Sequence, residues 1–295
     1  MGRPLLLPLA SCTQPSLVGG KAFGLARLLT RGFPVPPGFC LTTEAYIRAL
    51  QAPGFYSAKQ WPAARHSSEA ERQRILAHCR TIIQNYDIIE LTAQIVEQVR
   101  RFDVPVHRLW AVRSSATNED GAHASFAGVY RTRLGIPLEE VGAAVKDLWL
   151  SIWDERVLNY HAASGLSETA PTMAVVIQPL LEAQAAGVAY SVHPLTGRAT
   201  QVMINAVAGL AAAHVDGSAT PDQYVVEINK NSQPVRIREQ TLVGQTQALR
   251  MSNKGLPCSM EAPLSVTNNE MIAHSRVLRH KTSRRSGAEV STESR

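Results

Sequence analysis

AVRSSATNED (Ala111–Asp120) and ASFAGVYRTRLGI (Ala124–Ile136) put two strand-like runs on either side of a loop crowded with hydroxyls and small residues. The first run delivers Arg113 to the start of that loop. A guanidinium is a planar fork that matches phosphate oxygens, and Ser114, Ser115 and Thr117 offer hydroxyls beside it. The same arginine also has an internal explanation, an ion pair with Glu119 or Asp120. Local sequence leaves both readings open.

Upstream, GKAFGLARLL (Gly20–Leu29) carries apolar residues at Ala22, Leu25, Ala26 and Leu29, the i, i+3, i+4, i+7 spacing of a helix face, and Gly32 stands where such a helix stops. Lys21 in its first turn, behind two glycines, combines an ammonium with exposed backbone amides and the positive end of the helix dipole, a setting suited to phosphate. The spacing is not the GxxxxGK[ST] of a P-loop, and glycines before a helix also serve simply as a turn. PVPPGF (Pro34–Phe39) reads as a stiff extended connector, after which Thr42 or Thr43 caps a helix through EAYIRAL. Residues 51–70 are turn-rich. Helical patterns follow near 69–84 and 88–101, and a long amphipathic helix spans 138–163. RLWAVRSS, VYRTRLGI, TMAVVIQPLL, AGVAYSV, TQVMINAV, DQYVVEIN and PVRIREQTLV read as strands, closely spaced with turn residues between them, which predicts an α+β protein with a largely antiparallel sheet.

The chain has 295 residues, enough for one large domain or two lobes, with the hydrophobic share of an ordinary globular protein. Its formal charge of +6 invites an anionic partner without naming one. Part of that excess sits in SRVLRHKTSRRSG (Ser275–Gly287), read as a solvated terminal tail rather than a nucleic-acid patch. Cys12, Cys40, Cys79 and Cys258 show no CxxC spacing and are expected to be reduced thiols of a cytoplasmic protein. No apolar run approaches the ~20 residues of a membrane span, and MGRPLLLPLA does not read as a signal peptide. Neither nucleic acid nor a membrane is expected as a partner.

Four blocks occur in order: LVGGKAFGLARLLTRGFPVPPGFCLTTEAY, AVRSSATNEDGAHASFAGVYRTRLGI, VVIQPLLEAQAAGVAYSVHPLTG and VAGLAAAHVDGSATPDQYVV. Together they resemble the N-terminal nucleotide-binding domain of the phosphoenolpyruvate synthase and pyruvate phosphate dikinase family, which includes rifampicin phosphotransferase. The resemblance covers roughly residues 15–280. It implies an ATP-grasp-type domain over 1–280 whose two lobes grip ATP between sheets, followed by a disordered polar basic tail at 281–295. Lys21 matches a lysine that contacts phosphate, and Arg113 matches the catalytic arginine that neutralises the triphosphate. Gly128 and Thr132 match a loop and strand that cover the phosphates, and Gln178 matches the adenine-side glutamine on the strand linking the lobes. On that strand Gln178 is expected to point towards the cleft and Val176 away. The implied cofactors are ATP and Mg2+, and the implied activity is transfer of a phosphoryl group to a histidine on another domain or chain.

The departures are specific. Where family members usually read WGLGE, this chain reads Ala208-Gly209-Leu210-Ala211-Ala212. The family's DIEWA-like strand with its metal-binding glutamate and the QxRP motif after it have no counterpart, so the domain is expected to be incomplete at its C-terminus and its metal ligands are unassigned. VTNNEMIAHSRVLRH looks like the helix leading to that segment, and no histidine lies in a TSHA-like motif. Phosphoryl transfer leans on a divalent metal, so a non-catalytic module that binds adenine nucleotide or a partner is the alternative. Asp222, Glu227 and Glu239 are the substitute carboxylates considered. His193 in SVHPLTG reads as a structural turn, and Trp149 and Trp153, four apart, as core packing of the long helix.

Overall fold

A seven-residue run without a charge, Met173–Pro179, is buried at every position and forms the centre of a five-stranded antiparallel sheet. The computed structural model describes residues 3–51, 57–102, 108–118, 130–163, 171–215, 217–229, 234–245, 247–252 and 257–261. The chain divides into two compact units, Met1–Leu180 and Leu181–Arg295.

The first unit holds β1 (Leu6–Pro8), α1 (Pro15–Thr30), β2 (Phe39–Leu41), α2 (Thr43–Leu50), α3 (Ser57–His66), α4 (Glu69–Asn85), α5 (Ile89–Arg100), β3 (Trp110–Ala116), β4 (Thr132–Ile136), α6 (Val141–Ser151), α7 (Glu155–Ala163) and β5 (Met173–Pro179). Its sheet order is β1-β2-β5-β3-β4. Strand alternation sends Phe39, Leu41, Trp110, Val112, Val175 and Ile177 into one core with α2 to α7. Cys40, Ala174 and Val176 go to the other face, where Leu17, Val18, Ala22 and Ala26 of α1 cover them. Among the described residues six helices thus seal one face, while α1, with Leu9 and Cys12 of the preceding turn, packs on the other.

Several elements differ from the sequence reading. The helix expected over 138–163 is a short 3-10 turn, α6 and α7, broken at 152–154. The break buries Ile152 and Trp153, and its Asp154 takes ion pairs from Arg80 and Arg131. Trp149 and Trp153 are core residues as expected, but only Trp149 is helical. The turn-rich stretch contains α3, stabilised despite Pro62 by Trp61, which is fully buried and packs edge-on to Trp153 at 5.5 Å. The proline connector ends in β2, which pairs with β1, so short strands were hidden by their prolines. Thr42 occupies the N-cap of α2, yet its hydroxyl donates to the Pro4 carbonyl (2.7 Å) instead of capping.

The second unit holds β6 (Ala185–Tyr190), β7 (Gln201–Ala208), α8 (Ala212–Val215), β8 (Asp222–Ile228), β9 (Pro234–Thr241), β10 (Gln247–Met251) and β11 (Pro257–Glu261). The strands form a β6-β7-β8-β9 antiparallel sheet and a β10-β11 hairpin. Val202, Ile204, Ala206, Tyr224, Val226 and Ile228 make its core. The strands are antiparallel as expected, but distributed over two sheets and a hairpin. The basic tail and the helix read over residues 266–280 lie outside the described residues.

Candidate functional site

The α1 face of the five-stranded sheet carries three of the expected site residues, Arg113, Thr132 and Gln178. In β3, Arg113 lies opposite Val176 of β5 and Thr132 of β4, while Ala111 lies opposite Gln178. Cross-strand partners share a face, so Arg113, Thr132, Val176 and Gln178 all stand on the side that carries α1. Arg113 is half-buried, Thr132 exposed and Gln178 buried. Gln178 and Val176 therefore share a face rather than opposing each other. Residues two apart in a strand always do, and the expected opposition misapplied that rule.

Helix α1 reaches this face through a kink. Gly19 has φ 70° and ψ 174°, a conformation open essentially to glycine alone. A Cβ at Gly19 would lie 1.9 Å from the Ser115 carbonyl oxygen, so the backbone of α1 rests directly on β3. Past the kink the helix restarts with Gly20 and Lys21, as the periodicity predicted. It ends at Gly32 (φ 70°), where the Phe33 amide bonds the Leu28 carbonyl (3.0 Å) and the Gly32 amide bonds that of Leu29 (2.8 Å), a Schellman cap.

The hydroxyls near Arg113 do other work than the sequence suggested. Ser114 faces the opposite core beside Val175, fully buried, its Oγ without a hydrogen-bond partner among the described residues. Ser115 faces α1, where its hydroxyl donates to the Val18 carbonyl (2.7 Å) and accepts from the Ala22 amide (3.1 Å). Thr117 bonds Thr172 (3.2 Å between hydroxyls). Gln178 is held by the proline connector, its Nε2 donating to the Pro36 carbonyl at 3.0 Å. Gly38 is required beside it, since a Cβ there would lie 2.6 Å from the Ile177 carbonyl oxygen. Gly128, Glu119 and Asp120 lie outside the described residues.

A largely buried polar triangle with no signature in the sequence lies where β3 ends. Asn118 Nδ2 is 2.8 Å from His161 Nε2, the Tyr130 hydroxyl is 3.2 Å from the same nitrogen, and that hydroxyl donates to Asn118 Oδ1 at 3.2 Å. Trp61 stands edge-on to the imidazole. Burial, and secondarily the positive charge of Arg65, push the His161 pKa down to about 4. The ring is neutral at physiological pH.

In the second unit, the stretch Ala208–Ala212 that departs from WGLGE retains a glycine where one is needed. Gly209 has φ 77°, a Cβ on it would lie 2.2 Å from the Leu249 carbonyl oxygen, and the next amide, of Leu210, bonds that same oxygen (2.8 Å). His193 forms a turn in which its carbonyl accepts from the Gly197 amide (2.8 Å) and its Nδ1 from the Leu195 amide (3.3 Å). The candidate carboxylates are engaged. Asp222 accepts the Val243 amide (2.9 Å), Glu227 pairs with Arg236 (2.8 Å) and Arg238 (3.0 Å), and Glu239 pairs with Arg238 (3.4 Å). The hydrogen bond from Arg236 holds the Glu227 carboxyl below its ordinary range. Among the described residues no group of three His, Cys, Asp or Glu side chains could hold a metal ion. Asp222, Glu227 and Glu239 thus each spend their carboxylate on a contact within the second unit.

The family described as pyruvate phosphate dikinase, AMP/ATP-binding domain, matches residues 15–285. The chain belongs to that family. A phosphoenolpyruvate synthase of Aeropyrum pernix is 36% identical over 222 residues, 71% of this chain and 27% of that protein. A probable phosphoenolpyruvate synthase of Methanothermobacter thermautotrophicus is 31% identical over 268 residues, 87% of this chain and 38% of the relative. A rifampicin phosphotransferase of Bacillus cereus is 33% identical over 219 residues, 73% of this chain and 25% of the relative. The AMP/ATP-binding domain chain thus spans between a quarter and two fifths of the length of these relatives. Among its described residues no helix is long and apolar enough to cross a membrane, and Cys12, Cys40 and Cys79 are free and buried.

Proposed function

We propose that the chain binds ATP with its phosphates on the α1 face of the five-stranded sheet, and that it acts as the phosphoryl-donor domain of a phosphotransferase. The observation that supports this is the placing of Arg113, Thr132 and Gln178 on one face, with the turn that carries Lys21 packed against it, in a chain of the AMP/ATP-binding family. Arg113 and Lys21 hold the phosphates, the arginine by charge-assisted, fork-like contacts that strengthen as charge develops during transfer. Thr132 and Gly128 cover the phosphates, and Gln178 reads the adenine side. The architecture is of ATP-grasp type, a two-lobed domain over 1–280. Mg2+ bound to the nucleotide would neutralise phosphate charge. The phosphoryl group passes to a histidine on another domain or chain, in keeping with relatives several times longer. The compartment is the cytoplasm, where thiols stay reduced.

A second reading, a module that binds nucleotide or a partner without turnover, draws support from the engagement of Asp222, Glu227 and Glu239 in internal contacts. Magnesium-dependent exchange of label between ATP and AMP or phosphate, with a family histidine domain added in trans, separates the two. The first predicts exchange that disappears in Arg113→Ala. ATP binding without exchange supports the second.

A further inference from the structure

We propose that Ser115 is a positioning residue that fixes Lys21 relative to Arg113 by splicing its hydroxyl into helix α1. The inference rests on the nucleotide-binding reading and names a determinant within it. In an unbroken α-helix the amide of Ala22 would donate to the carbonyl of Val18, four residues earlier. Here the kink at Gly19 opens that pair, and Ser115 Oγ stands between the two groups, accepting from Ala22 and donating to Val18 at 3.1 and 2.7 Å. A side chain inserted into the ladder is a recognised cause of a helix kink. This one comes from another element, 93 residues away, and satisfies both groups that the kink parts.

Lys21 lies within the bracket, one residue before Ala22, and Arg113 lies two residues before Ser115 on the same face of β3. One strand therefore carries the arginine on its own backbone and sets the lysine's turn through its serine. Without the hydroxyl, the buried Ala22 amide loses its partner and the Val18 carbonyl keeps only the weaker Cys40 thiol (3.7 Å), so the shortest remedy is for Ala22 to approach Val18 directly. Successive helical residues are set about 100° apart, so closing the kink would swing Gly20 and Lys21 away from their present direction. Ser114, the neighbour on the opposite face whose Oγ has no partner among the described residues, is the built-in control.

The test is titration of the full chain with ATP and with adenosine, which lacks the phosphates. Ser115→Ala is expected to weaken ATP binding by tenfold or more while adenosine binding stays within about twofold, and Ser114→Ala to leave both unchanged. Ser115→Cys, similar in shape but a weaker hydrogen-bonding group, is expected to show the same phosphate-selective loss at smaller size, and it serves if the alanine variant does not fold. ATP affinity equal to wild type in Ser115→Ala, or in Ser115→Cys where that variant stands in, overturns the proposal, as does an equal loss for ATP and adenosine, which marks a merely structural serine. Failure of the wild-type chain to bind ATP instead sinks the nucleotide reading and takes this inference with it.

Discussion

His161 is 2% exposed, and the cost of charging it sets an acid limit on the stability of the first unit. Its pKa is about 4 in the fold and near 6.5 when unfolded, so between those values the unfolded chain binds more protons than the folded one. The stabilising effect of the neutral ring is complete above pH 6.5 and declines as pH falls towards 4, by on the order of 3 kcal/mol in all. Denaturant melts of wild type and His161→Gln at a series of pH values check this; the variant should lose the slope in that window, and parallel curves would exclude His161 as its source. Gln178 gives a second residue-level prediction: Gln178→Leu should narrow the preference for ATP over GTP while leaving tripolyphosphate affinity unchanged, and equal losses for all three would argue for the Pro36 contact as its whole role. Motif order picked out Arg113, Thr132 and Gln178, and strand register puts these three on one face of the sheet. Ser114 and Ser115 were not, since two adjacent serines go to opposite faces and only strand register tells which is which. The Asn118, Tyr130 and His161 triangle joins three residues distant in sequence with no spacing signature at all.

At the scale of elements, α1 was readable from its apolar period and its C-terminal glycine, whereas its kink was not, because Pro15–Val18 and Gly20–Thr30 are both helical on either side of Gly19. Gly19→Ala should displace the helix from β3: the backbone conformation alone costs a non-glycine residue about 1–3 kcal/mol, and the overlap with the Ser115 carbonyl adds to it. Thermal melts and ATP titrations of Gly19→Ala beside Gly24→Ala make the comparison, since a Cβ at Gly24 meets nothing within 4 Å and sits in a regular helix. Gly24→Ala should be neutral or stabilising; equal melting points for the two variants would contradict the packing described. The split of 138–163 into α6 and α7 escaped periodicity because the apolar pattern runs through Trp153, and what breaks the helix is tertiary: Asp154 receives Arg80 and Arg131 from other elements. Likewise α3 forms in a stretch that Pro62 marks as a turn, because Trp61 finds a fully buried place against Trp153 and His161.

For the whole molecule, motif order reached further than local pattern did. Four ordered blocks led to a family that matches residues 15–285, while the division at Leu180 and Leu181 and the two separate sheets depend on pairings that no local window contains. The proposed function places the phosphates of ATP on one face of one sheet, set by β3 and the kinked start of α1. Charge-assisted contacts to phosphate are worth about 1.5–3 kcal/mol each, which is roughly a tenfold to hundredfold change in affinity. Calorimetric titration of ATP into the wild-type chain, Arg113→Ala and Lys21→Ala tests it most directly. Saturable binding by wild type and a loss of that size in each variant, with adenosine affinity preserved, are expected; undiminished ATP binding in both variants would rule out phosphate binding on this face.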